Sequence, residues 1–141
     1  MNILIIDGQG GGIGRMLTEQ LRAALPDAFL IAVGANSAAT SAMLKAGANA
    51  GATGENAVIY NCGRADVITG PAGILLANAM FGEISPAMAQ AVSESPCPKV
   101  LIPVQKCHLQ MAGVAELPLA RYLEDAVVRI FAICSGEKSV L

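Results

Sequence analysis

The chain has 141 residues, of which 54% are hydrophobic and only 14% charged, and its net charge is −2. That length supports one domain around one sizeable core, and the slight negative charge excludes a general attraction to nucleic acid or to an anionic membrane surface. No stretch approaches the roughly 18–20 uninterrupted apolar residues of a membrane span.

The first apolar run has no basic region before it, so no signal peptide is expected. The protein is therefore expected to be cytoplasmic. Its four cysteines, Cys62, Cys97, Cys107 and Cys134, form no CxxC pair and read as reduced thiols. So little charge leaves a monomer of this composition poorly covered, which predicts a homo-oligomer.

Asn2 to Ile6 is an uncharged, β-branched run that predicts a strand buried on both faces. Asp7 ends it, and five glycines follow within seven positions: Gly8, Gly10, Gly11, Gly12 and Gly14. Ile13, Met16, Leu17, Leu21 and Ala24 then recur at helical spacing, predicting a helix from about Gly12 to Leu25. Pro26-Asp27 stops it, and Ala28 to Val33 is a second buried strand. After Gly34 and Ala35, Asn36 or Ser37 can cap a helix over Ala38 to Ala46, with Gly47 as its stop. Asn49 to Gly54 reads as a loop with room for a very short strand.

Glu55 to Cys62 has strand-like AVIY within it, but Thr53 as cap and Gly63 as stop favour a helix, leaving Ala65 to Thr69 as the next strand. Gly73 to Met80 reads as helical, and Ser85-Pro86 opens another helix through about Ser93. Pro98 to Val104 is a core strand. Cys107 to Val114 can return as a short antiparallel edge strand, and Leu117 to Ile133 is the final amphipathic helix. Alternating strands and helices predict a three-layer, Rossmann-like α/β domain over residues 1–134, its mostly parallel sheet covered on both faces, with a polar tail at 135–141.

Ligands of such sheets sit at the carboxyl ends of the strands. There the glycine turn supplies backbone N–H groups at a helix start, an arrangement suited to an anion. Five glycines cost roughly 2.5–5 kcal/mol of chain entropy relative to alanine, more than a plain strand-to-helix turn requires, so the loop reads as shaped for a ligand. Spacing narrows the kind of loop. GxxxxGK[ST] is absent, and GxGxxG fails because Ile13 stands where the third glycine belongs. GxxxGxG fits Gly8, Gly12 and Gly14, and the turn is similar to the TGxxxGIG turn of short-chain dehydrogenases, with Asp7 in place of threonine. Over Gly10 to Gly14 it also resembles the GGGTGSG loop of tubulin-like GTPases.

The dehydrogenase likeness stops there. The second strand ends in Gly34, Ala35, Asn36 and Ser37, without the acidic residue that takes a ribose hydroxyl or the arginine that takes a 2′-phosphate. Tyr60 and Tyr122 are followed four positions later by Arg64 and Ala126 rather than by lysine. The expected ligand is thus a phosphorylated small molecule, a nucleotide or dinucleotide among the candidates. Gly8, Gln9, Gly10, Gly11, Gly12, Ile13 and Gly14 would hold its phosphate, and Asn36, Ser37, Thr69, Gly70 and Pro71 would line the remaining cleft. The alternatives are an assembly protein with the glycine loop packed in a subunit interface, or an atypical NAD(P)-dependent oxidoreductase.

Other candidates are thinner. Asp7 can hold Mg²⁺ or a hydroxyl, or simply cap the loop N–H groups, which is the favoured reading. Cys107 and His108, adjacent on a strand, would face opposite sides and make poor joint ligands of one metal, so no metal site is expected. Glu83 and Glu116 have no carboxylate partner nearby in sequence, and the methionines read as core filler.

Taken whole, DGQGGGIG at Asp7–Gly14, GAN and ATSAMLKAGAN within Gly34–Asn49, GATGEN at Gly51–Asn56, DVITGP at Asp66–Pro71, LANAMFGEISPAMA at Leu76–Ala89 and KVLIPV at Lys99–Val104 resemble the DUF3842 family of short bacterial proteins. The resemblance implies a Rossmann-like fold in a cytosolic bacterial protein. It implies no activity and no residue role.

Overall fold

The computed structural model describes residues 1–103 and 109–137. Strand β1 (Asn2–Asp7) is the centre of the sheet, with two strands on each side. Helix α1 (Gly12–Ala24) carries the chain to β2 (Phe29–Gly34), and α2 (Ser37–Lys45) carries it on to β3 (Ala50–Thr53). Helix α3 (Glu55–Cys62) then crosses to β4 (Val67–Pro71) on the other side of β1. A single 3-10 turn at Ala72–Leu75 and helix α4 (Pro86–Glu94) lead to β5 (Lys99–Ile102), and α5 (Leu119–Cys134) closes the domain. All five strands are parallel, in the order β3-β2-β1-β4-β5.

Alternate residues of the strands build two cores, as a sheet covered on both sides requires. On one side Ile3, Ile5, Leu30, Val67 and Ile102 meet Leu17 and Leu21 of α1, Met43 of α2, and Leu123 and Ile130 of α5. On the other, Leu4, Ile6, Val33 and Ile68 meet Val58 of α3, Ile74 and Ile84, and Met88 and Val92 of α4. Each of these side chains contributes about 1.5–3 kcal/mol on burial. The Rossmann-like α/β fold expected from the alternating pattern is therefore the fold observed.

The very short strand for which 49–54 left room is present as the edge strand β3, paired with β2 from Ile31↔Ala50 to Gly34↔Thr53. Three expectations shift. Strand β4 starts and ends two residues late, because Gly70 and Pro71 pair with Leu101 and Ile102 rather than forming the turn. The helix expected over 73–80 is confined to the 3-10 turn. Beyond it Asn78 N–H donates to Ile84 O at 2.7 Å and Ile84 N–H to Ala79 O at 3.2 Å, which satisfies the backbone in a reversal instead. Finally, no antiparallel strand occurs among the described residues: 109–118 are irregular and mostly exposed, and the first part of that expected strand, with Cys107 and His108, lies outside them.

The chain runs outward from β1 to β3, then restarts on the far side with β4. The point where its direction reverses lies between β1 and β4, the position at which ligands of such sheets bind.

A candidate ligand cleft at the switch point

At the carboxyl ends of β1 and β4 lies a cleft of about 1020 Å³. One wall is Asp7, Gln9, Gly12, Ile13 and Met16 from the β1–α1 turn; Pro71 and Gly73 follow β4; Asn78 to Phe81 overhang it; Pro103, Glu116, Leu117, Leu119 and Tyr122 close the far side. The lining is mainly apolar. Its described charged residues are two carboxylates, Asp7 and Glu116, with no lysine or arginine. Tyr122 holds the far wall in place, its hydroxyl accepting from Leu117 N–H at 3.0 Å and donating to Ala115 O.

The glycine turn is organised by carboxylates. Asp7 is buried, with Oδ1 accepting from Gly8 N–H and Oδ2 from Gly14 N–H, each at 2.7 Å. Because the residue at the helix N-cap is Gly11, which has no side chain, the strand's last residue does the capping. Glu83 Oε1 accepts from Gln9 N–H at 2.9 Å and from Asn36 Nδ2 at 2.7 Å, and Asn36 Nδ2 also donates to Gln9 O at 2.9 Å. Gly11 N–H donates to Gly8 O at 2.9 Å. The amides of Gly10, Gly12 and Ile13 have no protein acceptor among the described residues.

The five glycines then separate into two groups. A Cβ on Gly8 would stand 2.7 Å from Met80 Sδ, and one on Gly14 would stand 2.5 Å from Met43 Sδ and 2.9 Å from Asp7 Cβ. Gly11, at φ 71°, would meet Ala39 Cα at 2.8 Å. These three are glycine because the protein's own atoms require it. A Cβ on Gly10 or Gly12 would meet nothing within 4 Å, and neither has a positive φ.

A second set of outliers gathers at the same place. All four described non-glycine residues with positive φ, Gln9 (50°), Asn78 (68°), Met80 (59°) and Phe81 (56°), line the cleft. Such conformations cost of order 1–3 kcal/mol each and concentrate at ligand clamps. Phe81 is in addition fully exposed at the rim.

Of the residues singled out from the sequence, Gln9, Gly12, Ile13 and Pro71 line the cleft, and Gly8, Gly10, Gly11 and Gly14 complete the turn beside it. Asn36 stands outside the lining, capping α2 through Ala39 N–H at 2.9 Å and tying that loop to Gln9. Ser37 is the exposed first residue of α2. Thr69 and Gly70 are buried within β4, and Thr69 Oγ1 finds no hydrogen-bond partner among the described residues. Sequence reasoning missed the overhang at 78–83; its signal was Asn78, inside the stretch expected to be helical, and Gly82 just beyond it, two residues tolerant of positive φ. Glu83, which has no carboxylate partner nearby in sequence, is set by folding against Gln9 and Asn36. Among the described residues no group of three or more acidic, cysteine or histidine side chains is placed to hold a metal. No helix among them is long and apolar enough to cross a membrane.

No curated protein matches the sequence. Among solved structures, a dodecameric FMN-dependent Ubix-like decarboxylase from Escherichia coli O157:H7 aligns over 99% of this chain and 100% of its own, with 16% identity and a TM-score of 0.52. That likeness shows the fold alone. The structure of AibC aligns over 98% of this chain but 40% of its own, with 19% identity and a TM-score of 0.48. The DUF3842 family, described as a domain of unknown function, matches residues 2–135, and the chain belongs to that family.

Proposed function

We propose that the chain binds a nucleotide or another phosphorylated small molecule in the switch-point cleft. The amides of Gly10, Gly12 and Ile13 hold the phosphate at the start of α1, where the helix dipole favours negative charge. The remainder of the ligand lies along Ile13, Met16, Leu117, Leu119 and Tyr122. The observation that carries this reading is the contrast within the turn: Gly8, Gly11 and Gly14 are accounted for by internal contacts, while Gly10 and Gly12 face open space. Their lack of a side chain has no use inside the molecule, and it allows an anion to approach the backbone closely. A thermal-shift and calorimetric screen of nucleotides, flavin nucleotides and sugar phosphates tests it. Binding should be lost in Gly12→Val while the fold persists, and a Gly12→Val protein that keeps full ligand stabilisation would refute it.

A second reading concerns assembly. Helix α5 exposes Val128 and Phe131, one turn apart, and also carries the exposed ion pairs Arg121–Glu124 and Asp125–Arg129. We propose that copies associate through this face, in keeping with the low charge of the chain. Light scattering should give a multiple of the monomer mass that Phe131→Asp reduces.

A further inference from the structure

A dinucleotide on a doubly wound sheet straddles the glycine turn, with one nucleotide over the first strand's neighbour on each side and its first ribose at the end of the second strand. In this chain the β2 side is filled from within. Glu83 reaches over the turn to Gln9 N–H at 2.9 Å and to Asn36 Nδ2 at 2.7 Å, so its carboxylate bridges the β1–α1 and β2–α2 loops. Its Oε1 lies 3.0 Å, and Met80 Sδ 2.7 Å, from where a Cβ on Gly8 would be. The residues that bring it there, 78–83, include three left-handed non-glycine positions and are tied by Gly82 N–H to Asn78 O at 3.0 Å and Glu83 N–H to Met80 O at 3.2 Å. The cleft accordingly has no lining residue from β2, α2, β3 or α3.

The donor count agrees. Gly14 N–H is taken by Asp7, Gln9 N–H by Glu83 and Gly11 N–H by Gly8 O, which leaves three amides of the turn, a set suited to one phosphate rather than two.

We infer that Glu83 is a specificity determinant that closes the β2 half of the site, so that the ligand is a monophosphate, of nucleoside or flavin type, lying over β1, β4 and β5, and not a dinucleotide. This rests on the reading that the cleft binds a phosphorylated ligand. The opposite role for Glu83, accepting a ribose hydroxyl of a dinucleotide, predicts the opposite sign on removal of the carboxylate.

The test compares FMN, AMP, GMP, CMP and UMP with NAD⁺, NADP⁺ and FAD by calorimetry on the wild-type protein and on Glu83→Ala, with unliganded melting of both as a check on folding. The wild type should bind its best monophosphate at least tenfold more tightly than any dinucleotide. Glu83→Ala should narrow that ratio at least tenfold by gaining dinucleotide affinity. Wild-type dinucleotide binding equal to that of the best monophosphate overturns the inference and leaves the phosphate site standing, and this comparison needs no variant to fold. Dinucleotide affinity that falls in Glu83→Ala also overturns it, in favour of the ribose role. Absence of binding by every compound overturns the phosphate site and the inference together.

Discussion

Gly14 N–H donates to Asp7 Oδ2 at 2.7 Å across seven residues, and through this one bond the last residue of β1 caps the first turn of α1. Since Oδ1 takes Gly8 N–H, the carboxylate satisfies a donor on each side of the turn. Asp7→Ala leaves both without their partner and removes a negative charge from the positive end of the helix dipole. It should destabilise the fold by about 2–3 kcal/mol, read as a lower urea midpoint at unchanged slope. Asp7→Asn, whose amide can accept one of the two bonds, should fall between.

The two classes of glycine predict two classes of variant. Gly11→Ala forces a side chain into the left-handed region against Ala39 and should cost at least about 1–2 kcal/mol. Gly14→Ala drives a methyl into Met43 and Asp7 Cβ and should cost as much or more. Gly12→Ala, in the first helical position with no neighbour, should leave the stability unchanged or raise it by up to about 1 kcal/mol. If the open glycines serve a ligand, Gly12→Ala weakens binding without weakening the protein, a separation that paired melting and titration experiments measure directly.

Thr69 is fully buried between Ile5 of β1 and Val100 of β5, with a hydroxyl that has no partner among the described residues. Thr69→Val keeps the shape and removes the unsatisfied group. It should stabilise the unliganded protein by about 1 kcal/mol in chemical denaturation.

Burial pushes the Cys62 thiol up to about 11 from its ordinary 9.0, with Cys97 adding to the shift and Lys99 opposing it. The unfolded chain releases this proton from about pH 9, while the native protein keeps it to about pH 11. Unfolding is therefore coupled to proton loss in that window, and stability falls as pH rises through it, by about 2–3 kcal/mol for this group. The decline in urea midpoint between pH 8.5 and 11 should be shallower in Cys62→Ala than in the wild type, both kept reduced.

Much of this architecture could be read before any coordinates, for reasons that differ by element. Strand β1 and helix α1 carry their signal locally, in an uncharged β-branched run and in apolar spacing broken by Arg15, Glu19 and Arg22. Helix α3 was legible from Gly63, its C-cap, although its own AVIY favours a strand; the cap expected at Thr53 falls one residue later, on Gly54, because Thr53 ends β3. The 73–80 segment was misread because what holds it is remote. Its reversal depends on Ile84 O, and the Glu83 that follows it is held by Gln9 and Asn36, partners that no local window includes. The glycine turn stood out as a candidate site by composition alone, yet composition could not tell Gly12 from Gly14. That distinction belongs to Met43 and Asp7, which fold against one and not the other. Phe81, Leu117 and Tyr122 gave no sign of facing a common space, because they are brought together by β4, α4 and α5 rather than by spacing.

The central position of β1 has a consequence for the order in which the molecule can assemble. Its edge toward β2 pairs within a single crossover, Ile3 with Leu30, but its edge toward β4 waits for Ile3 to meet Val67. During synthesis the β1–β2–β3 half can therefore form while Leu4 and Ile6 still lack the α4 side of their core, and a row of unpaired amides stays open to any passing strand. The slow event in folding should be closure of that edge by β4, and the cleft, which lies at the carboxyl ends of the strands it joins, comes into being only at that step.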